Sequence, residues 1–305
     1  MEESGGEWWC VSAVKMIMES IKIIACNKLV FASIMLLTTL PLSTLLISQS
    51  ISTHSLTSQI HHLEALARYA PTRFEARHVW RQSRHDALSL LRTKALFCLP
   101  SYLLSIAAAL SAVHSTRLAL HSDTTLSLLS AALRLFATTI FVYAILFAFS
   151  PIPRFLAALA SSKAAKILLL ATGSALEIYL MAVMSVALVV SVAEERFGWD
   201  AIRVGSALMK GSRACGWALS CLFVLGSSLI RSKVEGLMEA KDWIRVEDKA
   251  DVIVGYSLLV LWSYVIMTVF YCYCRKRHPI REPQQEDLQL SVMSVSLLIL
   301  FISFK

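Results

Sequence analysis

The sequence predicts an all-α integral membrane protein: a six-span helical bundle with N-terminal and mid-chain interfacial amphipathic helices. Three observations carry this. Of 305 residues, 56% are hydrophobic and only 16% charged, against about 45–50% and about 25% in soluble domains. The apolar residues are gathered into long blocks from which Lys, Arg, Asp and Glu are nearly absent. Those blocks are continuous in Leu, Ala, Ile and Val rather than alternating, which suits helices and not barrel strands.

A helix needs roughly 20 apolar residues to cross the hydrocarbon, and each span must satisfy its own backbone there. Uncharged runs of that order fall at Leu29–Ser50, Ala95–Val113, Leu135–Pro153, Ala214–Ile230 and Val252–Cys274. A sixth, Ile167–Ala193, is interrupted only by Glu177. The expected organisation is an N-terminal interfacial helix over 1–28, a membrane domain over 29–274, and a basic tail with a short hydrophobic end over 275–305.

The prolines punctuate this plan. Pro41, in the first run, and Pro100, near the start of the second, should each kink a helix or mark its first turn. Pro151 and Pro153 close the third run, where a helix end is the natural reading. The fifth run is short and should extend back past Gly211 or tilt little.

Between the runs the chain is not plain loop. Over Trp8–Asn27, Val14, Ile17, Ile21 and Ile24 share one helical face, with Ser12, Lys15, Glu19 and Lys22 opposite. With Trp8 and Trp9 at its start, this helix is suited to the headgroup layer. Ser52–Lys94 is the longest polar stretch and carries Arg68, Arg73, Arg77, Arg81, Arg84, Arg92 and Lys94. It reads as a solvated helical linker, with an anionic-lipid surface as the other reading.

Orientation is not decided by charge. Basic residues divide almost evenly between the two sides of a six-span arrangement, so the positive-inside rule is silent. The cluster Arg275-Lys276-Arg277 favours cytosolic termini, whereas the arginine-rich stretch opposes them unless the Pro41 run is a re-entrant hairpin. No secretory signal or lipidation box is expected at either end. An endomembrane or the plasma membrane is the expected location.

Chemistry is sparse. Nucleophile elbows, phosphate-cradling glycine loops, HExxH and paired catalytic carboxylates are all missing from the sequence, so no enzyme, catalytic residue, metal or cofactor is expected. His61, His62, His78 and His85 share one polar stretch without ligands to complete a metal site. Seven cysteines lie in or beside apolar runs, unlike a disulfide framework. Cys272 and Cys274, abutting the basic cluster, are a setting for S-palmitoylation or else buried thiols. Glu177 is the one acidic residue well inside a span, with Arg134 as its candidate partner. Intramembrane carboxylates often mark ion or substrate paths.

One ordered motif remains. After Glu194 and Glu195 end the fourth-span apolar run, Gly198 permits a turn and Asp200 can cap a short helix. Ala201, Val204, Gly205 and Leu208 then share a face, with Gly211 as its stop. Small residues at 201, 205 and 207 let that face approach another helix closely. Trp199 stands where an aromatic anchor belongs. The motif reads as an interfacial helix at Asp200–Lys210, in which Lys210 can meet lipid phosphate.

The series Val190-Ser191-Val192-x-Glu194, Gly198, Ala201, Leu208, Lys210-Gly211 resembles the signature of a plant family of uncharacterised multi-span proteins. That family is distantly similar to the membrane domain of some glycerophosphoryl diester phosphodiesterases. Leu40-Pro41-Leu42-Ser43, Thr268-Val269-Phe270-Tyr271 and Cys274 extend the resemblance to about residues 8–278. It departs at Gly205, where the family usually has Ser, and in the hydrophobic segment Leu288–Phe304 beyond its usual end. The resemblance implies no catalytic residues, because the phosphodiesterase chemistry belongs to a soluble domain this sequence does not carry.

The expected function is therefore non-enzymatic: a membrane-organising or lipid-interacting protein whose partners are membrane lipids, anionic ones included, and not nucleic acid. The alternative is a transporter or channel component using Glu177 as its coupling carboxylate.

Overall fold

A computed structural model of the chain describes residues 5–69, 73–120, 128–160, 162–194, 196–239 and 246–277. These form ten α-helices in chain order, and no strand occurs among the described residues. They are α1 (Gly5–Cys26), α2 (Lys28–Ile34), α3 (Leu40–Tyr69), α4 (Arg73–Leu120) and α5 (Leu128–Phe149), then α6 (Pro151–Leu159), α7 (Lys163–Ala193), α8 (Gly198–Leu208), α9 (Arg213–Glu239) and α10 (Val246–Arg277). Among the described residues, six segments are long and apolar enough to cross a membrane: Lys28–Gln59, Arg84–Leu120, Leu129–Leu159, Lys163–Ala193, Arg213–Gly236 and Lys249–Arg277. Each contains most or all of one of the six apolar runs. The tail beyond Arg277, with Leu288–Phe304, lies outside the described residues.

Pro41 leaves its mark upstream. A π-helical turn, Met35–Thr39, joins α2 to α3. Proline cannot donate a backbone hydrogen bond and its ring crowds the carbonyl one turn back, and a widened turn relieves both. Hydroxyls cover the carbonyls there: Thr38 Oγ1 donates to Ile34 O at 2.7 Å and Thr39 Oγ1 to Met35 O at 3.2 Å. The helix carries straight on. Phe31 packs with Leu261 and Val265, while Ile47 packs with Val252 nearer the start of α10. The first run is thus one continuous helical segment with no hairpin turn in it.

The polar stretch after it is helical on both sides of residues 70–72: α3 runs on to Tyr69, α4 starts at Arg73, each continues one of these apolar segments, and the two helices pack on one another. Pro100 lies inside α4 rather than at its first turn. Pro151 both ends the neighbourhood of α5 and opens α6 as its first residue, a position where proline's missing N–H is no loss. The short fifth run gains its length at the far end: α9 starts at Arg213 and extends to Glu239.

The N-terminal helix differs most from expectation. The residues of α1 that face the bundle are Met16 and Ser20, both buried, with Ala13, Ile17 and Ile23 beside them. Of the apolar face read from spacing, Ile17 and Ile24 pack against the bundle, whereas Val14 and Ile21 are exposed, as is Met18. Two hydrogen bonds fix the helix along α10: Ser12 Oγ with Tyr273 Oη at 3.5 Å, and Trp262 Nε1–H to Ser20 Oγ at 3.0 Å. These two anchors are separated by about 16 Å of α10 at ~1.5 Å per residue, so α1 lies lengthwise against that helix.

The main core is built from the second half of α7 (Ala182, Val186, Val190, Val192), the last turns of α10 (Ile266, Phe270) and α8. Away from it, large apolar side chains point outward, among them Leu29 at 82% and Phe147 at 85% exposure.

Candidate functional site

The last turn of α7 is where three long helices and the mid-chain helix are tied together. Glu194 caps α7, its N–H donating to Val190 O at 2.8 Å. Its carboxylate is almost wholly covered, so it needs partners to offset lost hydration. Tyr271 Oη of α10 donates to Glu194 Oε1 at 2.6 Å, and Arg275 Nη1 approaches the same oxygen at 3.4 Å. Arg117 Nη1 of α4 donates to Ala193 O at 3.4 Å, occupying a carbonyl that the helix end leaves without an intrahelical partner.

The chain then turns sharply. Gly198 has φ +60°, the left-handed region that favours glycine. Its N–H, the first of α8, donates to Thr138 Oγ1 of α5 at 2.9 Å in a buried bond. The cap of α8 is thus supplied by a different helix. Asp200 does not cap; its carboxylate takes Arg196 Nη1 at 2.8 Å on the surface.

From there α8 folds back along α7. Ala201, Ile202, Gly205 and Leu208 are buried. A Cβ on Gly205 would stand 3.1 Å from Ala187 N and 3.2 Å from its Cα, so the two backbones approach as closely as glycine allows. Ala207, expected on this face, is exposed, and Ile202 takes its place. Gly211, with φ +91°, turns the chain toward α9, three residues beyond the helix end. Outward from this end stand Phe197, Trp199, Lys210 and Arg213, all exposed.

The other expected polar site is not assembled as a pair. Glu177 is half-buried in α7, and among the described residues no ion pair joins it to Arg134. Cys274 is buried in the main core and Cys272 packs against it, so the palmitoylation setting gives way to covered thiols. Of the histidines, His85 is exposed beside Asp86, and the side chains of His61 and His78 lie outside the described residues.

Two chambers open elsewhere in the bundle. An inner one of about 220 Å³ lies among α4, α7, α9 and α10, walled by residues such as Val189, Phe223, Leu259 and Met267. An outer one of about 640 Å³ is lined by Gln49, Thr53, Lys94, Arg231 and Glu235. Val224, Ser227 and Tyr256 line both.

A family model described as a domain of unknown function (DUF8558) matches residues 1–287. The chain belongs to that family. No curated protein and no solved structure matches the chain. The matched stretch takes in every helix of the DUF8558 bundle, from α1 to the end of α10.

Sequence reasoning singled out Glu194 and Gly198 but missed the residues that hold them, Tyr271, Arg275 and Thr138. The available signal was weak. Thr138 sits among apolar residues of α5, where a hydroxyl ordinarily satisfies itself on the preceding turn, and it does also donate to Arg134 O at 2.9 Å. Its lone pairs remain free to accept, and Gly198 uses them.

Proposed function

We propose that this protein is a non-enzymatic, multi-pass integral membrane protein that interacts with lipids and organises the membrane around it. The observation that carries this reading is α8: its inner face is locked to α7 through Gly205, and its flanks present Phe197, Trp199, Lys210 and Arg213 outward. Aromatic rings and cations together at a bundle end suit the headgroup layer, where rings anchor and each basic residue near an anionic surface contributes about 1 kcal/mol. Six crossings put Lys28 and the end of α10 on one side, and Arg275, Lys276 and Arg277 favour the cytosolic side of an endomembrane or the plasma membrane.

Liposome flotation and native lipid mass spectrometry on the purified chain test this, with Lys210→Glu and Arg213→Glu as variants. The reading expects both charge reversals to weaken retention on vesicles containing anionic lipid and to leave insertion intact. Unchanged retention removes α8 from any lipid role.

A further inference from the structure

The outer chamber lies away from the α8 end of the bundle, the inner one runs from Tyr256 to Val192, two residues before Glu194, and their linings differ in kind. The inner chamber is walled mainly by aliphatic and aromatic side chains. Three of its four serines are turned onto their own helices, Ser185 donating to Met181 O at 2.8 Å, Ser227 to Val224 O at 2.9 Å and Ser263 to Val260 O at 2.7 Å, while Ser220 Oγ is buried with no hydrogen-bond partner among the described residues. Such hydroxyls turned onto their own helices leave an essentially apolar wall. At about 220 Å³ the chamber exceeds the ~150 Å³ apolar cavity that takes up benzene.

The outer chamber is mixed, setting Lys94, Arg231 and Gln49 beside apolar groups such as Leu46 and Ile47. Lys94 immediately precedes the apolar run that starts at Ala95, and Arg231 immediately follows the run that ends at Ile230. Both cations therefore stand at the edge of the hydrocarbon, on the opposite end of the bundle from Glu194. Glu235 approaches Arg231 Nε at 4.0 Å, with both side chains largely exposed, so their attraction is weak and readily exchanged for another anion. With Glu235 counted, Lys94 and Arg231 leave the chamber one positive charge.

We infer that the paired chambers bind one phospholipid carrying a single negative charge. The inference rests on the reading that the chain spans a membrane. The phosphate lies between Lys94 and Arg231 and one acyl chain passes Ser227 and Tyr256 into the inner chamber. A headgroup-level cation pair above an apolar recess matches an amphiphile end for end. Two cations alone, without the recess, would suit any surface anion.

The test uses the full chain, reconstituted with equal dioleoyl phosphatidylglycerol and dioleoyl phosphatidylcholine, exchanged into detergent and measured by native mass spectrometry. The expected result is one phosphatidylglycerol per chain, with phosphatidylcholine lost. Lys94→Gln with Arg231→Gln should cut that retention at least tenfold, and millimolar inorganic phosphate should not displace the lipid. Ser227→Phe, which fills the junction of the chambers, should abolish retention. Should that variant fail to fold, the charge variant at two exposed positions decides alone. The inference is overturned if both lipids are retained equally, if the charge variant keeps its lipid, or if Lys210→Glu with Arg213→Glu removes it. Failure of the wild-type chain to float with vesicles would instead sink the membrane reading itself.

Discussion

Tyr271 and Glu194, 77 positions apart in the chain, share a 2.6 Å hydrogen bond that joins the ends of α7 and α10. Removing the phenol hydroxyl leaves a covered carboxylate with only the longer contact to Arg275. Tyr271→Phe should therefore destabilise the bundle by about 1–3 kcal/mol. In a double-mutant cycle with Glu194→Gln, followed by unfolding in mixed micelles, the coupling should be about 0.5–3 kcal/mol. Additive losses would mean that the bond contributes nothing beyond its parts.

The seating of α8 gives a second expectation. At Gly205 an added side chain meets the Ala187 backbone, which cannot rotate away. Gly205→Val should shift α8 and cost about 1–3 kcal/mol through overpacking. Gly255, where nothing lies within 4 Å of an added Cβ, is the control; Gly255→Ala in mid-helix should stabilise by about 0.4–1 kcal/mol. Equal responses at the two glycines would contradict the close approach.

Thr138 and Gly198 should behave as a unit. Thr138→Val keeps the shape and removes the acceptor, leaving a buried N–H unpaired at a cost of about 1–3 kcal/mol. Hydrogen exchange at the Gly198 amide should accelerate in Thr138→Val and remain slow in Thr138→Ser. A fast amide in the wild-type chain would show that the bond is not held.

For α1, the difference between its two apolar sides is measurable. Met16 is buried against the bundle and Val14 is exposed. Met16→Ala should cost about 2–5 kcal/mol, while Val14→Ala should stay within about 0.5 kcal/mol. The reverse order would contradict the seating of Met16 against the bundle.

The split of the α1 apolar face, with Ile17 and Ile24 packed and Val14 and Ile21 exposed, indicates what a sequence of this kind can and cannot disclose. Runs such as Ala95–Val113 were legible because crossing hydrocarbon demands length and the absence of charge, which composition records directly. The inward face of α1 was not, because lipid is as apolar as a protein core, so Val14 and Met16 carry the same hydropathy signal in opposite surroundings. Ser20 was the usable clue: a small polar residue on an apolar helix, accepting from Trp262. The Glu194 end was half legible. Gly198 and Gly205 declare a turn and a close approach through their lack of a side chain, whereas Tyr271 and Thr138 are ordinary residues whose role exists only once distant helices meet.

The antiparallel seat of α1 on α10 bears on biosynthesis. The two elements that close the bundle are the first and the last of the described helices in chain order. Ser20 must wait for Trp262, and Met16 for the core around Phe270, until α10 has been made. A ribosome-bound nascent chain halted before α10 would hold five of the six long apolar segments and an undocked N-terminal helix, with the Met16 face still unmatched. Completion of the bundle is thus a late, long-range event, and quality control of this protein should be most exacting toward chains truncated within α10.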